Sequence, residues 1–405
     1  MALIVQKYGG TSVGSPDRIR SVAARIAQAY SLGNDVLVVV SAMGGTTDDL
    51  IGLAHQVSKT PPHREMDMLL SSGERISMAL LSMALTDLKV PAISFTGSQS
   101  GIITTQNHRR ARIKKILGDR LREAIAQRKV AIVAGFQGVS ESKEITTLGR
   151  GGSDTTAVAL AAHLRAERCE IYTDVDGIYT ADPSVVKNAK LLAKVPVDIM
   201  TELSHLGAGV LHSRCTEIVS QSRVPLWIKN SLNENEGTLV TEKVNAQIGM
   251  EDFGITGVAA NLDQLLLTIE LSRPTVLSSI WDRAKELGLN LTAPSFSALS
   301  KEPHVHFFID REGEGDWLKI LSELARDGFV RKYEFHSGIC PVSIVGYRFT
   351  QDCGALNEMI EALAQVHISA MIGSASPLSV TLGVATGKAE DAVRALHGKY
   401  IEKLE

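Results

Sequence analysis

Lys7-Tyr8-Gly9-Gly10-Thr11-Ser12-Val13-Gly14-Ser15 follows a short apolar segment, residues 2–5, and precedes a helical pattern that starts near Asp17. A strand, a glycine turn and a helix in that order direct free backbone N–H groups and a helix N-terminus at an anion. Lys7, at the end of the strand, adds a point charge to such a cradle. Gly9 and Gly14 have the Walker A separation, but Ser15 stands where that motif needs lysine. The lysine precedes the glycines, so the run is not a P-loop. By itself it reads equally as a phosphate site or as a tight turn with a solvated Lys7.

Outward from this run, short apolar stretches alternate with longer amphipathic ones as far as about residue 230. The apolar stretches are 2–6, 36–40, 91–96, 130–136, 169–174 and 224–229, most of them Val/Ile-rich without polar alternation. Strands covered on both faces read in this way. Helical patterns lie near 17–32, 47–58, 65–88, 109–128, 154–166 and 197–221. The alternation predicts an α/β fold with a doubly wound, mainly parallel sheet, whose ligands bind beyond the carboxyl ends of the strands.

Residues 231–254 are polar and lack long helices. Beyond them a pattern of strand, helix, strand, strand, helix occurs twice. Segments 265–270, 276–287 and 304–309 make one round; 342–347, 355–366 and 378–384 make the other. This predicts two small α+β modules packed on each other.

A net charge of −3 without any Lys/Arg block gives no reason to expect nucleic acid or a membrane surface. No signal peptide or transmembrane run is visible. Cys169, Cys215, Cys340 and Cys353 show no CxxC spacing and read as reduced thiols. The expectation is a soluble cytoplasmic protein.

Further polar-glycine clusters fall at strand ends. Gly149-Arg150-Gly151-Gly152-Ser153-Asp154-Thr155-Thr156 carries an arginine suited to carboxylate or phosphate, and hydroxyl and carboxylate groups that can cap the next helix. Ser41-Ala42-Met43-Gly44-Gly45-Thr46-Thr47 repeats the strand, glycine turn and helix start. Ser71-Ser72-Gly73-Glu74-Arg75 lies inside a long helical pattern, where Gly73 signals a break or close packing and periodicity alone puts Glu74 on the surface. Residues 172–183 enter an acidic turn that faces a nucleotide or hydrated metal, or is a plain turn. No catalytic Ser/His/Asp order and no metal-ligand pattern stands out, and His108, His205 and His212 read as ordinary. Cations and backbone donors without a general base suit phosphoryl transfer to a nucleophile that is already ionised, such as a carboxylate.

KYGGTSVGS (7–15), VVVSAMGGTTDDL (38–50), REMDMLLSSGERISMALLSMAL (64–85), VAGFQGVS (133–140), ITTLGRGGSDTTAVALAAHL (145–164) and YTDVDGIYTADP (172–183) together resemble the aspartate kinases of the amino-acid-kinase family. The resemblance implies a catalytic domain over 1–240 and a tandem ACT (ferredoxin-like) regulatory region over 241–405. The first module is expected at about 265–335 and the second at about 250–264 plus 340–405. It implies transfer of the ATP γ-phosphoryl group to the β-carboxylate of L-aspartate, with Mg2+ as cofactor and no protein metal ligands, at the entry to lysine, threonine, methionine and isoleucine synthesis. Carried over by motif, Lys7 sits between phosphate and acceptor as a catalytic residue with Asp154. Tyr8, Gly9 and Gly10 line the phosphates. Arg150, with Gly151 and Gly152, holds the substrate α-carboxylate, while Glu74 and Asp154 hold its ammonium group. Ser41, Thr47 and Ser153 supply hydroxyl contacts, and Thr173, Asp174, Tyr179, Asp182 and Pro183 form the nucleotide pocket.

The departures from the family pattern are specific. Gly209 replaces the lysine of a GAKVLH motif that reaches the ATP phosphates, which implies weaker ATP binding or slower turnover. Ser272-Arg273-Pro274-Thr275 replaces an Asp-Thr-Pro-Gly turn in the first module, where Asn290 remains but Thr292 replaces an aspartate, and Ser369 replaces an asparagine in the second. Feedback by lysine or threonine therefore stays open, as does an internal start at Met250. A homo-oligomer joined through the ACT modules is expected, and no fused dehydrogenase. Acetylglutamate and glutamate 5-kinases share the glycine-loop logic but not the SSGER and GRGGSDTT segments. The alternative reading is a catalytically weakened amino-acid-binding regulator of the same family.

Overall fold

The computed structural model describes residues 1–207, 209–242, 254–298, 302–347, 349 and 354–402; Met250 and Cys353 lie outside them. The chain forms two compact units. The first comprises Met1–Ile178, Leu191–Asp198 and Val210–Val244; the second comprises Tyr179–Lys190, Ile199–Gly209 and Asn245–Glu405.

The first unit opens with β1 (Leu3–Tyr8), α1 (Pro16–Ser31), β2 (Asp35–Val40), α2 (Thr46–Val57), α3 (His63–Asp87) and β3 (Ala92–Phe95). Next come β4 (Ile102–Thr104), β5 (Ile113–Ile116), α4 (Asp119–Ala126), β6 (Val130–Ala134), β7 (Gln137–Ser140) and β8 (Ile145–Thr147). The remainder is α5 (Gly152–Leu164), β9 (Arg168–Thr173), β10 (Lys194–Pro196), α6 (Val197–His205, which runs on into the second unit), α7 (Ser213–Ser222), β11 (Leu226–Asn230) and β12 (Thr238–Thr241).

Eight strands form the main sheet in the order β10-β12-β11-β9-β1-β2-β6-β3. Every ladder is parallel except β11 with β12. The central strands are buried on both faces, as their unbroken apolar sequence requires. On one face Val36, Val38 and Val40 meet Ile19, Val22 and Ile26 of α1 and Leu81 and Leu85 of α3. α5 packs on β1, β2 and β9 and against α7. The chain leaves β1 for β2 on one side and returns as β9 on the other, so the crevice at the carboxyl end of β1 is the topological switch point.

Local chemistry sets the helix ends. Ser15 Oγ accepts the N–H of Arg18 at 3.3 Å and Pro16 takes the first helical position, so α1 begins where its cap and its fixed φ dictate. α3 runs unbroken through Gly73. A Cβ there would stand 2.8 Å from Ala42 Cβ, so Gly73 serves close packing and breaks nothing.

Two expected helices are not continuous. Within 109–128 only Asp119–Ala126 is helical; Ile113–Ile116 instead pairs with β4, and Gly118, left-handed at φ +71°, caps α4. Over 197–221 the chain makes α6 and then α7, because Gly207 (φ +102°) and Gly209 (φ +70°) adopt left-handed backbone that no continuous helix contains. The alternation also gave no sign of a second sheet, β5-β4-β7-β8, whose strands of three or four residues are too short to carry a period.

In the second unit, β13 (Ile255–Ala260) precedes β14 (Gln264–Leu271), α8 (Val276–Glu286), β15 (Thr292–Ser297), β16 (His304–Asp310), α9 (Glu314–Arg326) and β17 (Val330–His336). Then come β18 (Ile339–Gly346), α10 (Gly354–Gln365), β19 (Ile372–Ala375), β20 (Ser379–Ala385) and α11 (Ala389–Tyr400). Two antiparallel four-stranded sheets result, β15-β16-β14-β17 and β13-β18-β20-β19, each backed by two helices. The expected repeat is present, and β13, from ahead of the first module, completes the sheet of the second. The same unit takes up the two segments from the N-terminal half. Ala181 and Val186 enter the core beneath β18 and β20, and Glu202 of α6 accepts hydrogen bonds from the hydroxyls of Ser376 and Ser379.

Candidate active site

At the carboxyl end of β1 the chain passes through Gly9 and Gly10 into a single 3-10 turn, Thr11–Val13. Gly9 N–H donates to Tyr172 O of β9 at 3.1 Å, Ser41 N–H beyond β2 donates to Tyr8 O at 3.1 Å, and Gly44 N–H donates to Gly10 O at 3.0 Å. Backbone bonds thus tie the first glycine loop to the strand ends on either side of it.

Lys7 is buried, and its Nζ lies 2.5 Å from Asp154 Oδ1. Asp154 stands in the first turn of α5, which starts differently from the expected side-chain cap. Gly151 is the N-cap at φ +65°, and no side chain takes the cap bond. Thr155 and Thr156 instead turn their hydroxyls back to Gly151 O and Gly152 O. A Cβ on Gly151 would fall 2.2 Å from His212 Cβ, so only glycine allows both this turn and that neighbour. The N-terminal N–H groups of α5 are thereby left without a side-chain acceptor, a favourable seat for negative charge. Ser153 is buried beside Gly135, at the end of β6.

Glu74 is 3% exposed, contrary to the surface position that periodicity suggests. The close approach at Gly73 brings the α3 turn that carries it against the segment after β2. One carboxylate oxygen accepts the N–H of Ala42 at 3.3 Å, while Oε2 is buried without a hydrogen-bond partner. Burial lifts its carboxyl from 4.5 to about 7, partly offset by hydrogen bonds from its own N–H and that of Ala42. A buried acceptor left open in this way is equipped for a cation.

The remaining expected residues sit as follows. Ser41 and Thr47 are half-buried, Thr47 in the first turn of α2, and Arg150 is exposed between Gly149 and Gly151. Tyr8 is fully buried, stacked on Tyr172 at 4.8 Å with its hydroxyl directed to Gln6, so only its backbone faces the loop. Thr173 ends β9 and Asp174 follows it, joined by a 3.1 Å hydrogen bond from the Thr173 hydroxyl. Tyr179, Asp182 and Pro183 belong to the second unit, where Asp182 Oδ1 accepts from the N–H and hydroxyl of Ser184. Among the described residues no group of three His, Cys, Asp or Glu side chains converges as a metal cage.

Sequence reading missed Asp67. Fully buried on α3, it accepts from Thr147 Oγ1 (2.6 Å) and Arg109 N–H (3.0 Å), and it lies 2.6 Å from His108 Nδ1. Arg214 donates to Leu148 O and Ala111 O. These two residues hold in place the strand and loop that lead into Gly149-Arg150-Gly151. The sequence signal was an aspartate on the apolar face of an amphipathic helix.

Glu74 makes stability depend on pH with a definite sign. Between about pH 4.5 and 7 the folded protein keeps a proton at Glu74 that the unfolded chain has lost, so stability falls as pH rises across that window. Glu74→Gln removes this slope. In paired denaturant titrations at pH 5 and pH 8, the variant should gain on the original protein by on the order of 3 kcal/mol between the two. An unchanged difference would show that Glu74 is not held as a buried acid.

Residues 2–230, more than half of the chain, match the amino acid kinase family, and residues 342–400 match an ACT domain. Aspartokinase of Mycolicibacterium smegmatis is 44% identical over 99% of this chain and 96% of its own length. The crystal structure of E. coli aspartokinase III in complex with aspartate and ADP (R-state) superposes with a TM-score of 0.84 at 25% identity, covering 98% of this chain and 99% of that one. The same E. coli enzyme with lysine and aspartate (T-state) gives 0.70 at 25% identity, covering 98% and 99%. With glycine loops gathered at the strand ends of a mainly parallel sheet in one unit and two four-stranded α+β modules in the other, the chain belongs to the aspartokinases of the amino acid kinase family.

Proposed function

We propose that the Lys7–Asp154 pair and the two glycine loops around it carry the reaction of an aspartokinase, transfer of the ATP γ-phosphoryl group to the β-carboxylate of L-aspartate. An oxygen of that carboxylate forms the new O–P bond, the bond from the γ-phosphorus to the bridging oxygen breaks, and ADP leaves with its electron pair. The acceptor is ionised at neutral pH, so the site needs no general base, only alignment and charge neutralisation. The observation that carries this reading is a buried lysine held by a carboxylate at the switch point of the sheet.

In this reading Asp154 orients the Lys7 ammonium toward the phosphoryl oxygens, and the N–H groups at the start of α5 add dipolar stabilisation. Arg150 binds the substrate α-carboxylate as a fork, with Gly151, Gly152 and Ser153 lining that end, and Ser41 and Thr47 give hydroxyl contacts. Glu74, with its open Oε2, receives the α-ammonium group; pairing with that cation offsets the desolvation that keeps its proton. Gly9, Gly10 and the Tyr8 backbone line the phosphates. Thr173, Asp174, Tyr179, Asp182 and Pro183 are assigned to the nucleotide on motif resemblance.

The donor set fits a magnesium ion that arrives with the nucleotide, since Mg2+ relies on phosphate oxygens, water and one or two carboxylates and not on a protein cage. Held by the phosphates and water, the ion would neutralise phosphate charge. Three buried unpaired thiols, Cys169, Cys215 and Cys340, suit a reducing cytoplasm, and no described helix is long and apolar enough to cross a membrane. We assign catalysis to 1–240 and regulation to 241–405, with the ACT modules joining copies of the chain.

Lys7→Ala leaves Asp154 without its partner and so lowers stability; in protein that circular dichroism shows to be folded it should abolish aspartate-dependent ADP release, and surviving turnover would overturn the assignment. Gly209→Lys tests the missing phosphate lysine. Gly209 is exposed at φ +70°, where a side chain is strained, so the substitution carries a backbone cost. A fall in KM for ATP despite that cost supports the assignment, whereas no gain means that another cation has taken the place of the missing lysine. Titrating lysine and threonine into the kinase assay, with solution mass measured in parallel, tests regulation. Inhibition by either amino acid would assign an effector to the ACT modules and flat curves for both would remove feedback by them; a mass above 43.6 kDa is expected, and a monomer would overturn the joining of copies.

A further inference from the structure

The segment Tyr179–Lys190 comes from the N-terminal half of the chain but is built into the second unit. Ala181 and Val186 lie in one apolar core with Ala389, Val393 and Leu396 of α11. Thr180 O accepts the N–H of Val258 at 2.8 Å, which extends the contact along β13. Arg394 of α11 reaches Val185 O at 3.4 Å.

At the centre of this packing lies a polar contact that the apolar surroundings do not explain. His397 of α11 has no exposed surface, and its Nε2 stands 2.9 Å from Thr180 Oγ1. The Thr180 hydroxyl also accepts the N–H of Lys190 at 2.9 Å, closing the segment into a loop. His397 Nδ1 faces Glu402 Oε1 at 3.3 Å. A carboxylate only accepts, so Nδ1 carries the imidazole proton and Nε2 accepts from the Thr180 hydroxyl. One side chain of the second ACT module therefore fixes the hydroxyl that closes the loop. The neighbours of that hydroxyl in the chain are Tyr179 on one side and Ala181, Asp182 and Pro183 on the other.

We propose that His397 is a positioning residue for nucleotide recognition: through Thr180 it holds the backbone from which Tyr179, Asp182 and Pro183 meet ATP. This rests on the assignment of those three residues to the nucleotide. A purely structural buried pair would, when broken, lower stability and disturb both substrates alike. A positioning pair acts on one substrate, because Lys7, Arg150 and Glu74 are anchored in the other unit.

The test is steady-state kinetics of the full chain, with ATP varied at saturating aspartate and aspartate varied at saturating ATP. Thr180→Val and His397→Leu, which keep side-chain volume in the core, should each raise KM for ATP roughly tenfold and leave KM for aspartate within about twofold. The double variant should be no worse than Thr180→Val alone, since that substitution already removes the bond to His397 along with the one from Lys190 N–H. Thr180→Ser and His397→Gln, which retain a hydroxyl and an acceptor, should return KM for ATP to its original value. A parallel rise in KM for aspartate, an additive double variant, or an unchanged KM for ATP in folded Thr180→Val would overturn the proposal. Should His397→Leu not fold, the Thr180→Val and Thr180→Ser pair alone decides it. Asp182→Ala and Pro183→Ala separate the two levels. If neither changes KM for ATP, the nucleotide assignment itself falls. If they raise it and Thr180→Val does not, only the positioning role falls.

Discussion

A lysine ammonium can be kept at the end of a strand buried on both faces only if something nearby holds the opposite charge. Here that is Asp154, in the first turn of α5, 2.5 Å from Lys7 Nζ. Taking either partner away would leave an uncompensated buried charge, at a cost of about 3–5 kcal/mol. The pair therefore dictates where α5 begins relative to β1. That in turn requires the left-handed Gly151 turn, and the turn requires that no side chain stand between it and His212. The second glycine loop thus leads into the helix turn that presents the carboxylate paired with the lysine of the first.

Around this pair the site separates two kinds of charge. Backbone N–H groups and cations gather at the glycine loops, whereas Glu74 stands on the buried face of α3 as a carboxyl group lifted to about 7. In the proposed assignment, a substrate with a carboxylate at each end and an ammonium group between would find an opposite charge for each of its own. An aspartokinase needs this for a reaction in which proton transfer has little part. Asp67 and Arg214 add nothing to the chemistry but hold the loop that carries Arg150, so the precision of the site depends on buried polar anchors outside it.

The second unit shows the same economy. Thr180 and Glu202 come from the N-terminal half, yet their side chains bond to α11 and to the turn before β20. Two stretches that the motifs place with the nucleotide are thus folded as parts of the ACT region. Those stretches therefore share a packed core with the module, and packed cores are not continuously deformable.

The sequence by itself determined six of the eight strands of the main sheet and its mainly parallel character, the two α+β repeats, and the identity of both glycine loops; β10, β12 and the order of the strands were not in it. Each feature it determined is written in local pattern: unbroken Val/Ile runs, 3.6-residue periodicity, and glycines where backbone must approach an anion. Tertiary structure alone decided the rest. Periodicity put Glu74 on the surface because it cannot register a neighbour, Ala42, brought in by β2 more than thirty residues away. The split of 197–221 into two helices depends on left-handed backbone at Gly207 and Gly209, and the 113–116 strand depends on a partner, β4, that local propensity does not contain. His397 reads as an ordinary helix residue until Thr180, 217 positions earlier, is set against it. Pairings between distant residues carry no local signal, since what selects them is the cost of burying a polar group alone.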